Sequence, residues 1–141
     1  MIKALIDTNI TVDVALERSP FDKEAKIIYE KIDHKELQGY ISASTITDIF
    51  YVIRKKIGKE MALQYLQDLL EVVDILPVNK DTIHAALASG WSDFEDAVQA
   101  QVALENGVDV IVTRDMKDYK KIENIKVLPP SDFIRYVDSL R

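Results

Sequence analysis

The side chains able to do chemistry in this sequence are carboxylates placed at the ends of apolar stretches. Asp7 directly follows the run from Ile2 to Ile6, and Asp115 and Asp118 follow the strand-like segment 108–112. Asp93 and Asp96 lie three apart, so on a helix they share a face. Asp48 lies three residues after Thr45. Two carboxylates about 5 Å apart repel by roughly 3 kcal/mol at an effective dielectric of about 20. A fold that gathers four of them must bind a cation or keep some of them protonated. With oxygen ligands only, and neither Cys nor a nearby His, the favoured ions are Mg2+ and Mn2+. Such a site suits phosphodiester hydrolysis, because the metal lowers the pKa of a bound water and clamps phosphate oxygens. Each acid also has a plain structural use. Asp7 suits a helix N-cap, Asp48 a Thr-x-x-Asp capping box with Thr45, and Asp93 a helix start, while Asp115 and Asp118 suit turns.

Other chemistries fail on the residues. The sequence holds no G-x-G-x-x-G, no G-x-x-x-x-G-K-[ST] and no H-E-x-x-H. Residues 90–94 read Gly-Trp-Ser-Asp-Phe, which is not the G-x-S-x-G of a nucleophile elbow. Without Cys there are no disulfides, thiolate ligands or thiol nucleophiles. His34 and His84 both fall in helical segments and read as ordinary surface or partly buried residues.

These acids need elements to carry them. Strands are predicted at Ile2–Ile6, Gly39–Ala43, Ile75–Val78, Val108–Val112 and Ile125–Leu128. Helices are predicted over residues 10–18, 22–37, 44–57, 60–72, 81–89 and 131–140, with another opened by a Ser92-x-x-Glu95 capping box and stopped at Asn106-Gly107. Strands alternating with helices imply parallel strands joined by crossovers, hence an α/β fold with three α/β/α layers around a mainly parallel sheet. In such a sheet the carboxyl ends of the strands face the ligand crevice, which is where Asp7 and Asp115 fall.

Composition is that of a globular chain: 141 residues, 48% hydrophobic and 30% charged, with four Gly and four Pro, read as one domain over 1–141. The longest strictly apolar run is five residues, Ile49 to Ile53, against about 20 for a membrane span. The early acid Asp7 argues against a signal peptide, and a cytoplasmic location is expected. The net charge of −6 is concentrated in residues 61–109, where nine acids face one base, Lys80. That argues against a protein coating DNA by bulk charge. It leaves open an enzyme whose acids hold cations, because a bound ion reverses the local field.

In order and spacing, Leu5-Ile6-Asp7-Thr8-Asn9, then Ile41 to Asp48, then Asp93-Phe94-Glu95-Asp96-Ala97, then Ile111 to Tyr119 resemble a PIN domain, the fold of many prokaryotic ribonuclease toxins (VapC-like). The resemblance extends to Leu128-Pro129-Pro130-Ser131-Asp132-Phe133. It implies a Mg2+- or Mn2+-dependent endoribonuclease. Asp7 matches the first family acid and Asp96 the third. Asp48 matches the second, commonly Glu; it is one methylene shorter, which favours a contact through water. The fourth is Asp115 or Asp118, both within the family's Thr-x-[Asp/Asn]-x-x-Asp segment, and Asp115 is taken with Asp7 and Asp96 as a metal ligand. Asp93 is an additional acid, and Thr8, Asn9 and Thr113 match polar positions that support the site.

RNA approaching an acidic pocket requires basic rims. Arg54, Lys55, Lys56 and Lys59 form one cluster, and Arg114, Lys117, Lys120, Lys121 and Lys126 another; Arg54, Lys55, Arg114 and Lys117 are the expected RNA contacts. Tyr119 is read as core rather than as a base-stacking ring. The resemblance also implies a homodimer and a cognate antitoxin protein that occludes the pocket. The alternative is a non-catalytic PIN-like module that binds RNA or protein. A phosphoryl-transfer domain fits worse, because Asp7-Thr8-Asn9 is not Asp-x-Asp and no acidic pair follows the first strand.

Overall fold

The computed structural model describes residues 1–140. Five short strands alternate with helices. They are β1 (Lys3–Ile6), β2 (Gln38–Ser42), β3 (Asp74–Leu76), β4 (Val110–Val112) and β5 (Lys126–Leu128). All neighbouring strands pair in parallel, in the order β3-β2-β1-β4-β5. The sheet therefore turns from one winding direction to the other between β1 and β4, the point at which a crevice opens above the carboxyl ends of parallel strands. Leu5 pairs with Ile111 and Ile6 with Val112 there. Asp7 N–H donates to the Val112 carbonyl at 3.0 Å and Thr113 N–H to the Leu128 carbonyl at 3.1 Å, which carries the ladder just past the strand ends. Asp7 and Thr113 are thus set on one edge by backbone bonding.

Side chains alternate across the sheet, as the period of two requires. Ala4, Ile6, Val110 and Val112 face one layer, built from α1 (Thr8–Ala15), α2 (Asp22–Asp33), α3 (Ile46–Ile57), α4 (Lys59–Val72) and α7 (Pro130–Ser139). Ile10, Ile28, Ile49, Ile53 and Phe133 fill this side and are fully buried. Each such side chain contributes roughly 1.5–3 kcal/mol on burial. Leu5 and Ile111 face the opposite layer, built from α5 (Lys80–Ala88), α6 (Phe94–Glu105) and a 3-10 turn at Met116–Tyr119. The three-layer α/β/α arrangement expected from the alternation of elements is the observed one.

Local differences have local causes. The first helix begins at Thr8 rather than near residue 10, because the Asp7 carboxylate itself accepts the Thr8 N–H. The second ends at Asp33 rather than residue 37, closed by Lys35 in the left-handed region (φ 61°). The sixth is capped by Asp93, whose Oδ1 accepts the Asp96 N–H at 3.0 Å, and not by Ser92. A reciprocal capping box does occur, at Asn79 and Thr82. Thr45 precedes α3 without a side-chain cap bond, so Asp48 is not the partner in a capping box. Among the described residues no helix is long and apolar enough to cross a membrane.

Candidate active site

Asp7, at the end of β1, is buried with only 9% of its surface exposed, so its charge needs partners. It has three donors. Thr8 N–H lies 2.8 Å and Gln99 Nε2 2.9 Å from Oδ1, and Thr113 Oγ1 lies 2.7 Å from Oδ2. They come from α1, α6 and the end of β4, so three elements fix one carboxylate. Gln99 was not anticipated. It stands three residues after Asp96 and so on the same helical face, within an otherwise apolar stripe; a lone amide in such a stripe was the available signal.

Gln99 Nε2 also donates to the Tyr119 hydroxyl at 2.9 Å. One amide nitrogen therefore links Asp7 to Tyr119. Tyr119 is buried, as read from the sequence, and its ring packs edge-on against Trp91 at 6.0 Å. Burial, joined by the charges of Asp7, Asp96 and Asp118, pushes its hydroxyl far above the usual phenol range. It therefore stays protonated, beside the carboxylates whose charge raises it. The side-chain oxygens of Gln99 and Asn9 are both buried without a hydrogen-bond partner.

Asp7, Asp48 and Asp96 line one cleft of about 630 Å³, together with Thr8, Ser44, Thr45, Glu95 and Gln99. Its rim is apolar: Tyr51 and Val52 on α3, and Phe94 on α6, are exposed. Asp48 is exposed on the first turn of α3. Burial pushes the Asp96 carboxyl up to about 7, with Asp93, Asp118, Asp7 and Glu95 adding like charge. Of the two later acids, Asp118 is therefore the one whose charge is felt at both Asp96 and Tyr119. Asp115 takes the Asn9 Nδ2–H at 3.3 Å, and its own N–H donates to Thr113 Oγ1 at 3.0 Å. Among the described residues no three carboxylates or imidazoles stand close enough to enclose an ion by themselves.

The raised Asp96 value sets a pH dependence. Between the ordinary 3.8 and about 7, the native chain keeps a proton that the unfolded chain has released. Stability of the metal-free protein should therefore fall as pH rises from about 4 to about 7, and then level off. Thermal melts in EDTA at several pH values check this. Asp96→Asn should flatten the slope and melt higher than the parent at pH 8.

The basic residues divide. Arg54, Lys55, Lys56 and Lys59 are exposed at the end of α3 and the start of α4, on the helix that carries Asp48 and Tyr51. Lys117 is exposed beside Asp118. Arg114, expected as an RNA contact, is otherwise engaged. Its Nε and Nη2 donate to the two oxygens of Asp13 at 2.8 and 3.2 Å, and its guanidinium lies 3.9 Å over the Phe21 ring. Asp13, on α1, is completely buried and is shared with Arg18, whose Nε donates at 2.8 Å. Lys121 donates to the Gly90 carbonyl and Lys126 sits over Tyr136.

The chain is 26% identical over 136 residues to Ribonuclease VapC1 of Aquifex aeolicus, covering 93% of this chain and 92% of that protein. Its fold is shared with VapBC-1 from nontypeable Haemophilus influenzae (TM-score 0.69, 20% identity, 93% of this chain and 99% of that one). It is also shared with a toxin-antitoxin complex from Klebsiella pneumoniae (TM-score 0.68, 23% identity, 90% and 97%). A third is VapC20 of Mycobacterium tuberculosis, a Sarcin-Ricin loop cleaving toxin (TM-score 0.68, 14% identity, 86% and 98%). A family model described as PIN domain matches residues 3–117, a span that runs from the first residue of β1 through the turn bearing Asp115, and the chain belongs to the PIN domain family.

Proposed function

We propose that this protein is a metal-dependent endoribonuclease of the VapC kind that hydrolyses RNA phosphodiester bonds in the cleft above β1 and β4. The observation that carries this reading is that Asp7, Asp48 and Asp96, drawn from three separate elements, line one cleft in which burial, and then the like charges of Asp93, Asp118, Asp7 and Glu95, disfavour the ionised form of Asp96. The donor set is oxygen only, including the buried Gln99 amide oxygen that lacks a partner, and it suits Mg2+ or Mn2+. Asp7 and Asp96 would hold the ion, Asp118 would add charge, and Asp48 would reach it through water. When bound, a divalent ion supplies charge neutralisation at the phosphate and acidifies a water for attack.

The rest falls to the protein's own side chains. Thr113 and Gln99 orient Asp7, Tyr119 holds the Gln99 amide, and Asn9 and Asp115 brace each other. Arg54, Lys55 and Lys117 take the neighbouring backbone phosphates, because an acidic cleft cannot attract RNA alone. The named relatives support a toxin role with an antitoxin partner, and the exposed Tyr51, Val52 and Phe94 offer that partner an apolar footing at the mouth of the cleft. A homodimer, a cytoplasmic location and a single domain over 1–141 complete the proposal.

The test is cleavage of a fluorescent single-stranded RNA by purified protein. Cleavage in Mn2+, loss of it in EDTA and recovery on adding Mn2+ back are expected. Cleavage that persists in EDTA overturns the metal requirement. Absence of cleavage together with absence of Mn2+ binding favours the non-catalytic module.

A further inference from the structure

Among the described residues Asp13 is the one fully buried acid that the proposed chemistry does not use. It lies on α1 and does not line the cleft. A carboxylate at that depth is stable only when closely paired. Its partner across the molecule is Arg114, which directly follows Thr113 and precedes Asp115. The guanidinium is held in its plane by both Asp13 oxygens and on its face by Phe21, so its direction is fixed on two axes.

Three attachments join α1, with its cap, to the segment after β4. Thr113 Oγ1 bonds Asp7 at 2.7 Å, Asn9 Nδ2 bonds Asp115 at 3.3 Å, and Arg114 grips Asp13. The first lies at the sheet edge and the second is long. The third is bidentate and charged, the strong type of contact. Beyond it, the segment that carries Asp115 and Asp118 is exposed from 115 to 118.

We propose that Arg114 is a positioning residue. By clamping to Asp13 and Phe21 it sets where the 113–118 segment, and with it Asp118, stands relative to Asp96. This rests on the metal-dependent reading above. It also replaces Arg114 as a phosphate contact, because the nitrogens that would grip a phosphate face Asp13.

The experiment compares the full chain with Arg114→Met and Arg114→Lys. Mn2+ affinity is measured by calorimetry, RNA affinity in EDTA, and amide hydrogen exchange across 113–119. Both variants are expected to lose about ten- to a hundredfold in Mn2+ affinity, to exchange faster in that segment, and to bind RNA in EDTA as the parent does. Lys keeps the charge but lacks the fork and the stacking face, so failure to rescue is part of the expectation. Mn2+ affinity within twofold of the parent in either variant overturns the proposal. Weaker RNA binding at unchanged Mn2+ affinity returns Arg114 to the RNA contacts. If the parent itself binds no Mn2+, it is the metal reading that falls, and this inference falls with it.

Discussion

Asp96→Asn is expected to slow RNA cleavage roughly a thousandfold or more while leaving a folded protein. The substitution is isosteric, and the cap on α6 comes from Asp93, so the helix start is untouched. What disappears is one negative charge facing the cleft. A cation at such a site is worth several kcal/mol to the transition state, and about 4 kcal/mol corresponds to a thousandfold in rate. Single-turnover cleavage at saturating Mn2+ measures the loss, and circular dichroism confirms the fold. Cleavage within tenfold of the parent would remove Asp96 from the mechanism.

The largest stability effect is expected at Asp13. Asp13→Ala leaves the Arg18 and Arg114 guanidiniums facing a space built for a carboxylate. Breaking a buried pair typically costs about 3–5 kcal/mol. The side chains of Arg18 and Arg114 are 41% and 26% exposed and can turn toward water, so a cost of about 3 kcal/mol is expected. Urea denaturation measures it. The double variant with Arg114→Met should cost less than the sum of the singles, since each removes the same contact.

Which of these residues the sequence betrays depends on how local their signals are. Asp7 is legible because a charge after five strand-forming positions has no ordinary place except a strand end, and the ladder puts it there. Asp96 is legible from its spacing within a short acidic run. Gln99 is not, because its value lies in reaching Asp7, 92 positions away in the chain, and Tyr119. Asp13 is hidden for a similar reason: within α1 it reads as one polar position on a solvated face, and its burial needs Arg114, 101 positions later, as well as the nearby Arg18. The start of α6 fails on a smaller scale. Ser92 and Asp93 are both good N-caps, and the choice of Asp93 moves the helix by one residue.

The double duty of Asp7 decides how a substrate trap should be built. The same carboxylate starts α1 and lines the cleft. An alanine there would disarm the protein and unseat its first helix together, so any bound RNA would be fished with a damaged hook. Asparagine caps a helix about as well as aspartate, and its amide nitrogen can face Thr113 Oγ1, whose hydroxyl is able to accept. Asp7→Asn is thus the bait of choice for recovering intact target RNAs from cells.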